Sequence, residues 1–344
     1  MPLLWIEDVK KSQAVAEPEN ANYLCLLPPA VAGVWKSAKD LKASQIPGGI
    51  LQKQKKKLEL DWRAVFRANP VANYETYVYY WLIVNTRSFY YELPGAKKAV
   101  AREDRMVLCP FVDFFNHADH GVSASLQSGQ LRTDEQCDVT FDEDGFMVTS
   151  DRSYESGEEV FTSYGSHSND FLMAEYGFIL QNNQWDSVPL DDILLPMLSE
   201  DSQRALLKFG YLGNYTLSKE GVCYRTQIAI RTQILGKRQW LDLVEGRQDE
   251  GENKRQTLRA DSFICDKLLE PYYHTAEDAF EGLKNQQVSS MPDDVCSMLL
   301  QRWIQIKRLV EEAFSNGVDL IGGNSTFGER RLNHGMQKNV ELSR

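Results

Sequence analysis

The chain has no C-x-x-C pair, no H-E-x-x-H, no G-x-S-x-G, no P-loop and no G-x-G-x-x-G behind a strand. Each absence removes a chemistry: paired-cysteine zinc and zincin sites, the serine nucleophile elbow, and the two common phosphate cradles. Long apolar runs are also missing, and no uncharged stretch approaches the ~20 residues of a membrane-spanning helix. The opening MPLLWIEDVKKSQ has no basic region leading into an apolar one, so no signal peptide is expected. Six cysteines, at 25, 109, 137, 223, 265 and 296, stand at wide spacings. They fit buried thiols in a reducing compartment, cytoplasm or nucleus, better than a disulfide framework. On that reading the sequons at Asn214 and Asn324 are accidental. Excess positive charge is lacking as well. The net charge of −11 argues against a nucleic-acid partner held through its phosphates. An acidic surface suits a lysine-rich protein partner, and it suits plain solubility equally well. The basic run Lys55, Lys56, Lys57 reads as the solvated face of a helix, with a targeting or nucleic-acid role as the other reading.

What is present is the material of an ordinary globular protein: 344 residues, 42% hydrophobic and 25% charged, with room for about two domains. Residues 1–50 read as irregular, punctuated by Pro28-Pro29 and Pro47-Gly48-Gly49. A helical stretch is expected over about 51–91. LQKQKKKLELDWRAVF places apolar side chains at Leu51, Leu58, Trp62, Val65 and Phe66, and TYVYYWLIVNTRSF is apolar on most faces and reads as buried. The middle third reads as short strands and turns. CDVTFDEDGFMVTS is a hairpin turning between Asp142 and Gly145, and EVFTSY is a strand ending at Gly165. After NNQWDSVP the pattern becomes helical, with Leu299, Trp303, Ile306, Val310 and Phe314 at spacings of 4, 3, 4 and 4. GRQDEGENKRQT (246–257) reads as an exposed loop, and the tail from about 325 reads as frayed. The expected domains are 1–182, with the helical insert at about 51–91, and 183–324, followed by a tail at 325–344.

FVDFFNHADH (111–120) concentrates the residues that carry chemistry. Asp113, His117, Asp119 and His120 supply the right atoms for zinc or iron. Two histidines three apart match none of the usual ligand spacings, however, and no third ligand is announced, so no metal is expected. The bland alternative makes the histidines loop residues that hydrogen-bond to backbone. A different account appears when the downstream motifs are read in order: DFFNH (113–117), a hairpin, GEEVFTSYG (157–165), SND (168–170) and EYGF (175–178).

This series resembles the SET-domain protein lysine methyltransferases, and among them the group of the Rubisco large-subunit methyltransferase. The resemblance covers about residues 55–320. It implies an α+β fold: a strand-rich SET domain with a helical insert, followed by an all-α C-terminal substrate-binding domain. It implies S-adenosyl-L-methionine as cofactor and a protein substrate presenting a lysine, with a non-histone protein as the expected target and neither nucleic acid nor membrane as partner. Residue roles follow from the matching positions. The main chain of Asn116 and His117 would clasp the adenine, the Asn116 side chain would help hold the amino-acid end, and the His117 ring would be structural. Asp113 would brace the motif. Arg87 would meet the cofactor carboxylate. Tyr164 would be the catalytic-site tyrosine, next to the cofactor. Tyr176 and Phe178 would line the lysine channel, with Phe178 also covering adenine. Asn169 and Leu172 fit the turn between the last two motifs.

The chemistry is coherent with those residue types. Presenting a lysine amine neutral at pH 7 costs roughly 4–5 kcal/mol, and an aromatic channel lowers that cost by disfavouring the charged form. Positioning for in-line displacement supplies much of the rate. The sequence departs from the group at one place. The first glycine is Gly33, and no G-x-G strand-turn precedes the insert, so the SET domain reads as N-terminally incomplete. Two functions therefore stay open: a lysine N-methyltransferase, or a catalytically inactive SET-like module that binds a protein.

Overall fold

A computed structural model describes residues 27–32, 49–91, 105–118, 137–141, 145–150, 152–247, 254–285 and 292–321. These residues fall into two compact units, one within 51–185 and one from 186 onward together with residues 27–32 and Ile50. Helices dominate, and every strand is two to four residues long, so the fold is α+β.

In the first unit, helix α1 (Ile50–Ala68) buries Leu51, Gln54 and Leu58, a stripe set by spacings of three and four. Helix α2 (Tyr74–Arg87) starts where the side chain of Asn73 accepts the Thr76 N–H at 2.9 Å. The two helices are tied by polar bonds. The indole of Trp81 donates to Asp61 at 2.9 Å, and Lys57 donates to Asn85 at 2.7 Å. Two expectations need correction here. Helix α2 is not buried on most faces: Val78, Trp81 and Leu82 are buried, but Tyr79 and Tyr80 are 62% and 59% exposed, because only one stripe of the helix has a packed neighbour among the described residues. Phe66 is also no core residue. It lies about 80° around α1 from Leu58 and packs tilted against Trp62, ring centroids 5.5 Å apart.

Strand β1 (Ser88–Tyr90) pairs antiparallel with β2 (Met106–Leu108), Phe89 opposite Val107. Strand β3 (Asn116–His117) follows, and then the hairpin of β4 (Asp138–Phe141) and β5 (Phe146–Thr149), with Val139 opposite Val148. Strand β6 (Phe161–Thr162) returns parallel to β3, Asn116 opposite Phe161 and His117 opposite Thr162. The strand expected over EVFTSY is thus only two residues long. The Tyr164 N–H leaves the ladder and donates to the His117 ring instead, at 3.2 Å. Helix α3 (Asn169–Tyr176) closes the unit. Asp119, His120, the turn at 142–144, Asn324 and the tail lie outside the described residues.

The second unit is built on helices α4 (Glu200–Lys208), α5 (Tyr224–Ile234), α6 (Lys237–Val244), α7 (Lys254–Phe263), α8 (Glu270–Asn285) and α9 (Asp293–Ile321). The α9 stripe Leu299, Trp303, Ile306, Val310 and Phe314 is buried throughout, each side chain being worth roughly 1.5–3 kcal/mol by transfer. Between α7 and α8 the helix widens over Ile264–Leu269, just before Pro271, which has no N–H to continue the ladder. At the start of the unit, Arg302, fully buried, meets Asp186 at 2.6 Å. Helical patterning did not reveal one addition, a small sheet of β7 (Ser187–Pro189), β8 (Thr216–Ser218) and β9 (Gly221–Val222). The loop expected over 246–257 also ends early, because α7 begins at Lys254.

Candidate functional site

The β3–β6 pairing joins two motifs that are far apart in sequence, and α3 brings in the third. Ser168 caps α3 by accepting the Phe171 N–H, and Asn169, almost completely buried, clamps the chain beyond the helix. Its amide donates to the Leu180 carbonyl at 2.9 Å and accepts the Leu180 N–H at 3.0 Å. From α1, Gln54 donates to the Ala174 carbonyl at 3.1 Å and holds the last turn. Gly177 then takes φ +84°, a left-handed cap that suits glycine. That reversal lets Tyr176 and Phe178 line the same cavity.

The cavity measures about 490 Å³, within the range of ligand-sized clefts. Arg87, Asp113, Asn116, Tyr164, Tyr176 and Phe178 all line it. His117 and Asn169 do not. The His117 ring stacks behind Tyr164 with centroids 5.2 Å apart, and its Nδ1 accepts the Tyr164 N–H. Asn169 serves the turn. Tyr164 in turn donates its hydroxyl to the Phe115 carbonyl at 2.9 Å. Burial raises the Tyr164 pKa above its usual value, with Arg87 pulling it back and Asp113 adding to the rise. Burial, then the charge of Glu175, pushes Tyr176 up to about 12, so both tyrosines are protonated at neutral pH. Their rings lie 4.9 Å apart, and Phe178 stands 6.2 Å from Tyr176.

Polar groups complete the wall. Arg87 donates from Nη1 to the Asp113 carbonyl at 2.8 Å and lies 3.7 Å from its carboxylate. The second carboxylate oxygen, Oδ1, is buried without a hydrogen-bond partner. Asn116 donates its amide to Glu159 at 2.5 Å. Two of these groups were not singled out from the sequence. Glu159 stands within GEEVFTSYG with no role assigned to it from the sequence. His167 lines the cavity, donates from Nε2 to the Tyr164 carbonyl at 3.0 Å and stacks on Phe171 at 4.1 Å. The sequence marks this spot only by a glycine two residues earlier, Gly165, and the structure shows why: it takes φ +114°, and a Cβ there would come within 2.8 Å of the imidazole. Among the described residues no group of three or more His, Cys, Asp or Glu side chains is placed to hold a metal ion. No described helix is long and apolar enough to cross a membrane.

Comparison with known proteins extends the picture. Residues 186–315 match the family model of the ribosomal lysine N-methyltransferase 2 C-terminal domain. The chain is 31% identical to ribosomal lysine N-methyltransferase set11 of Schizosaccharomyces pombe over 61% of its length and 52% of that protein. It is 27% identical to ribosomal lysine N-methyltransferase 2 of Saccharomyces cerevisiae, over 65% of the chain and 46% of that protein. Human SET domain-containing protein 4 matches at 26%, over 67% of the chain and 50% of that protein. The chain thus spans about half the length of the curated relatives it matches. A solved SET domain of LSMT, bound to lysine and AdoHcy, covers 96% of this chain and 79% of its own at TM-score 0.48 and 13% identity. The resemblance to SET-domain lysine methyltransferases read from the motifs is upheld by the sequence relatives and the family model.

Proposed function

We propose that this chain is an S-adenosyl-L-methionine-dependent protein-lysine N-methyltransferase acting on a non-histone protein, and that the cavity of the first unit is its active site. One observation carries the reading. The cavity sets a guanidinium, Arg87, and the carboxylate of Asp113 beside the rings of Tyr164, Tyr176 and Phe178. A donor and an acceptor of opposite charge side by side match the carboxylate and ammonium of an amino acid. Aromatic faces suit a sulfonium, an adenine and the aliphatic stem of a lysine. The residues present therefore fit the cofactor. Arg87, Asp113 and the Asn116 side chain would hold its amino-acid end, the main chain of Asn116 and His117 would clasp the adenine, and Phe178 would cover the ring. Bound there, the cofactor supplies an electrophilic methyl group.

The chain's own residues do the rest. Because the Tyr164 O–H donates to the Phe115 carbonyl, the phenol oxygen is left as an acceptor able to fix an N–H of the incoming lysine. Tyr176 and Phe178 exclude water from the stem and disfavour the ammonium form. Asp113 and Asn169 support the site through the bonds described above. The proposed domains are a SET domain with a helical insert, about 1–182, and a substrate-binding domain, about 183–324, although residues 27–32 group with the second unit and not with the first. Cytoplasm or nucleus is the proposed location.

The test is calorimetric titration with S-adenosylmethionine and with its demethylated product, followed by transfer of labelled methyl into a cell extract. Micromolar binding and a labelled lysine are expected. Absence of binding at high micromolar cofactor would leave the chain as an inactive module that binds a protein.

A further inference from the structure

A second cleft, of about 580 Å³, lies in the other unit between α4 and the corner joining α5 to α6. We propose that it docks a short acidic segment of a partner protein, with apolar side chains of that segment entering the cleft. Its floor is apolar: Phe209, Leu235 and Leu241 are half-buried, and Trp240 is buried with its indole on the Ile228 carbonyl at 3.0 Å. The Phe209 and Trp240 rings meet edge to face at 5.7 Å, which fixes the shape of the floor in the absence of any occupant.

The rim carries the charge. Arg204 is neutralised by Asp201 and Glu200 on its own helix. Lys208 and Lys237 are left over: both are exposed, and neither makes an ion pair among the described residues. Lys208 lies 5.5 Å over the Phe209 ring and stands on the last turn of α4, where it offsets the negative end of that helix. Lys237 is the first residue of α6, and Gly236 before it offers no side-chain cap, so the free N–H groups add to the positive field. In a chain of net charge −11 the lining of this cleft thus carries three cations, Arg204, Lys208 and Lys237, against one carboxylate, Asp201, around an aromatic floor. A lysine-rich segment is repelled by that rim. A nucleic acid would find only two unpaired cations and no stacking surface open to it, because Trp240 is buried. An acidic segment with leucine, phenylalanine or tryptophan anchors satisfies both features. This docking does not depend on the reading of the first unit's cavity.

The experiment selects short random peptides displayed on phage against the full chain. Enriched sequences are then synthesised and their binding is measured by fluorescence anisotropy. Enriched peptides are expected to place Asp or Glu around large apolar residues. The double variant Lys208→Glu/Lys237→Glu should weaken them at least tenfold, and Lys208→Arg/Lys237→Arg should hold affinity within about twofold. Added salt should weaken binding to the unaltered chain, a readout that needs no variant to fold. Enrichment of basic or neutral peptides, no enrichment, or affinity indifferent to charge reversal and salt would overturn the proposal. So would a dimer in solution that the charge reversal dissolves, since the occupant would then be a second copy.

Discussion

The hydroxyl of Tyr164 donates to the carbonyl of Phe115 at 2.9 Å, whereas Tyr176, ring to ring 4.9 Å away, has a hydroxyl with no hydrogen-bond partner among the described residues. The two tyrosines of one cavity are therefore not equivalent. Tyr164→Phe removes both an oriented acceptor and a tie between motifs. It should lower single-turnover methyl transfer about tenfold to a hundredfold and cost about 1 kcal/mol of stability, with cofactor affinity nearly unchanged. Tyr176→Phe breaks no bond of the free protein, so its thermal midpoint should not move, while KM for the lysine substrate rises. A Tyr164→Phe variant with unaltered rates would remove that residue from the reaction.

Arg87 already spends one N–H on the Asp113 carbonyl, so its planar fork works in two directions at once. Arg87→Lys can satisfy the carbonyl or a bound carboxylate, but not both with the same geometry. Calorimetry should show affinity for S-adenosylmethionine reduced about tenfold to a hundredfold in both Arg87→Ala and Arg87→Lys. Asp113→Asn should weaken the cofactor by losing the acceptor for its ammonium. A lysine variant indistinguishable from the natural protein would mean that the guanidinium acts only on the carbonyl.

Much of this site could be read from residue order alone. Asn116, Tyr164, Tyr176 and Phe178 were named because their motifs follow one another at readable spacings, and the cavity gathers them. The α9 stripe was legible because a 3.6-residue period survives any context. Other features were not legible, for physical reasons. Strands of two or three residues, as in the β7–β8–β9 sheet, are too short to show alternation. The exposed Tyr79 and Tyr80 carry no mark that distinguishes them from the buried Trp81 beside them, because burial is set by a neighbouring helix. His117 and Asn169 stand in the motifs as polar residues, yet their bonds run behind the wall, to backbone and, for Asn169, also to the Asn183 amide. Pairings such as Asn116 with Glu159, 43 residues apart, exist only once β3 and β6 meet.

His167 couples the site to pH. Burial lowers its pKa below the ordinary imidazole value, and the Tyr164 carbonyl offsets part of that shift. The unfolded chain, with a value near about 6.5, therefore takes up the proton first. The stability due to the neutral ring is present above that pH and is lost as pH falls through the window beneath it. His167→Gln keeps a side-chain donor but does not titrate. Thermal midpoints measured between mildly alkaline and mildly acidic pH should fall less steeply in the variant. Parallel curves would mean that the ring stays neutral in both states or charged in both.

Asp192 gives the opposite slope. Burial first, and then the charge of Asp191, raise its pKa to about 6. Asp191 cannot easily give way, because its carboxylate accepts the Tyr215 N–H at 3.0 Å. The folded protein thus binds the Asp192 proton more tightly than the unfolded chain does. Stability falls as pH rises from about 4 to about 6 and stays reduced above that. Asp192→Asn removes the penalty. With the carboxylate partly solvated, the gain at neutral pH should be roughly 1 kcal/mol, seen as a rise of about 2–4 °C in the melting of this unit. The difference should vanish near pH 4, where the natural side chain is protonated in the folded state at little cost. A gain that persisted unchanged at that pH would place its origin in packing instead of charge.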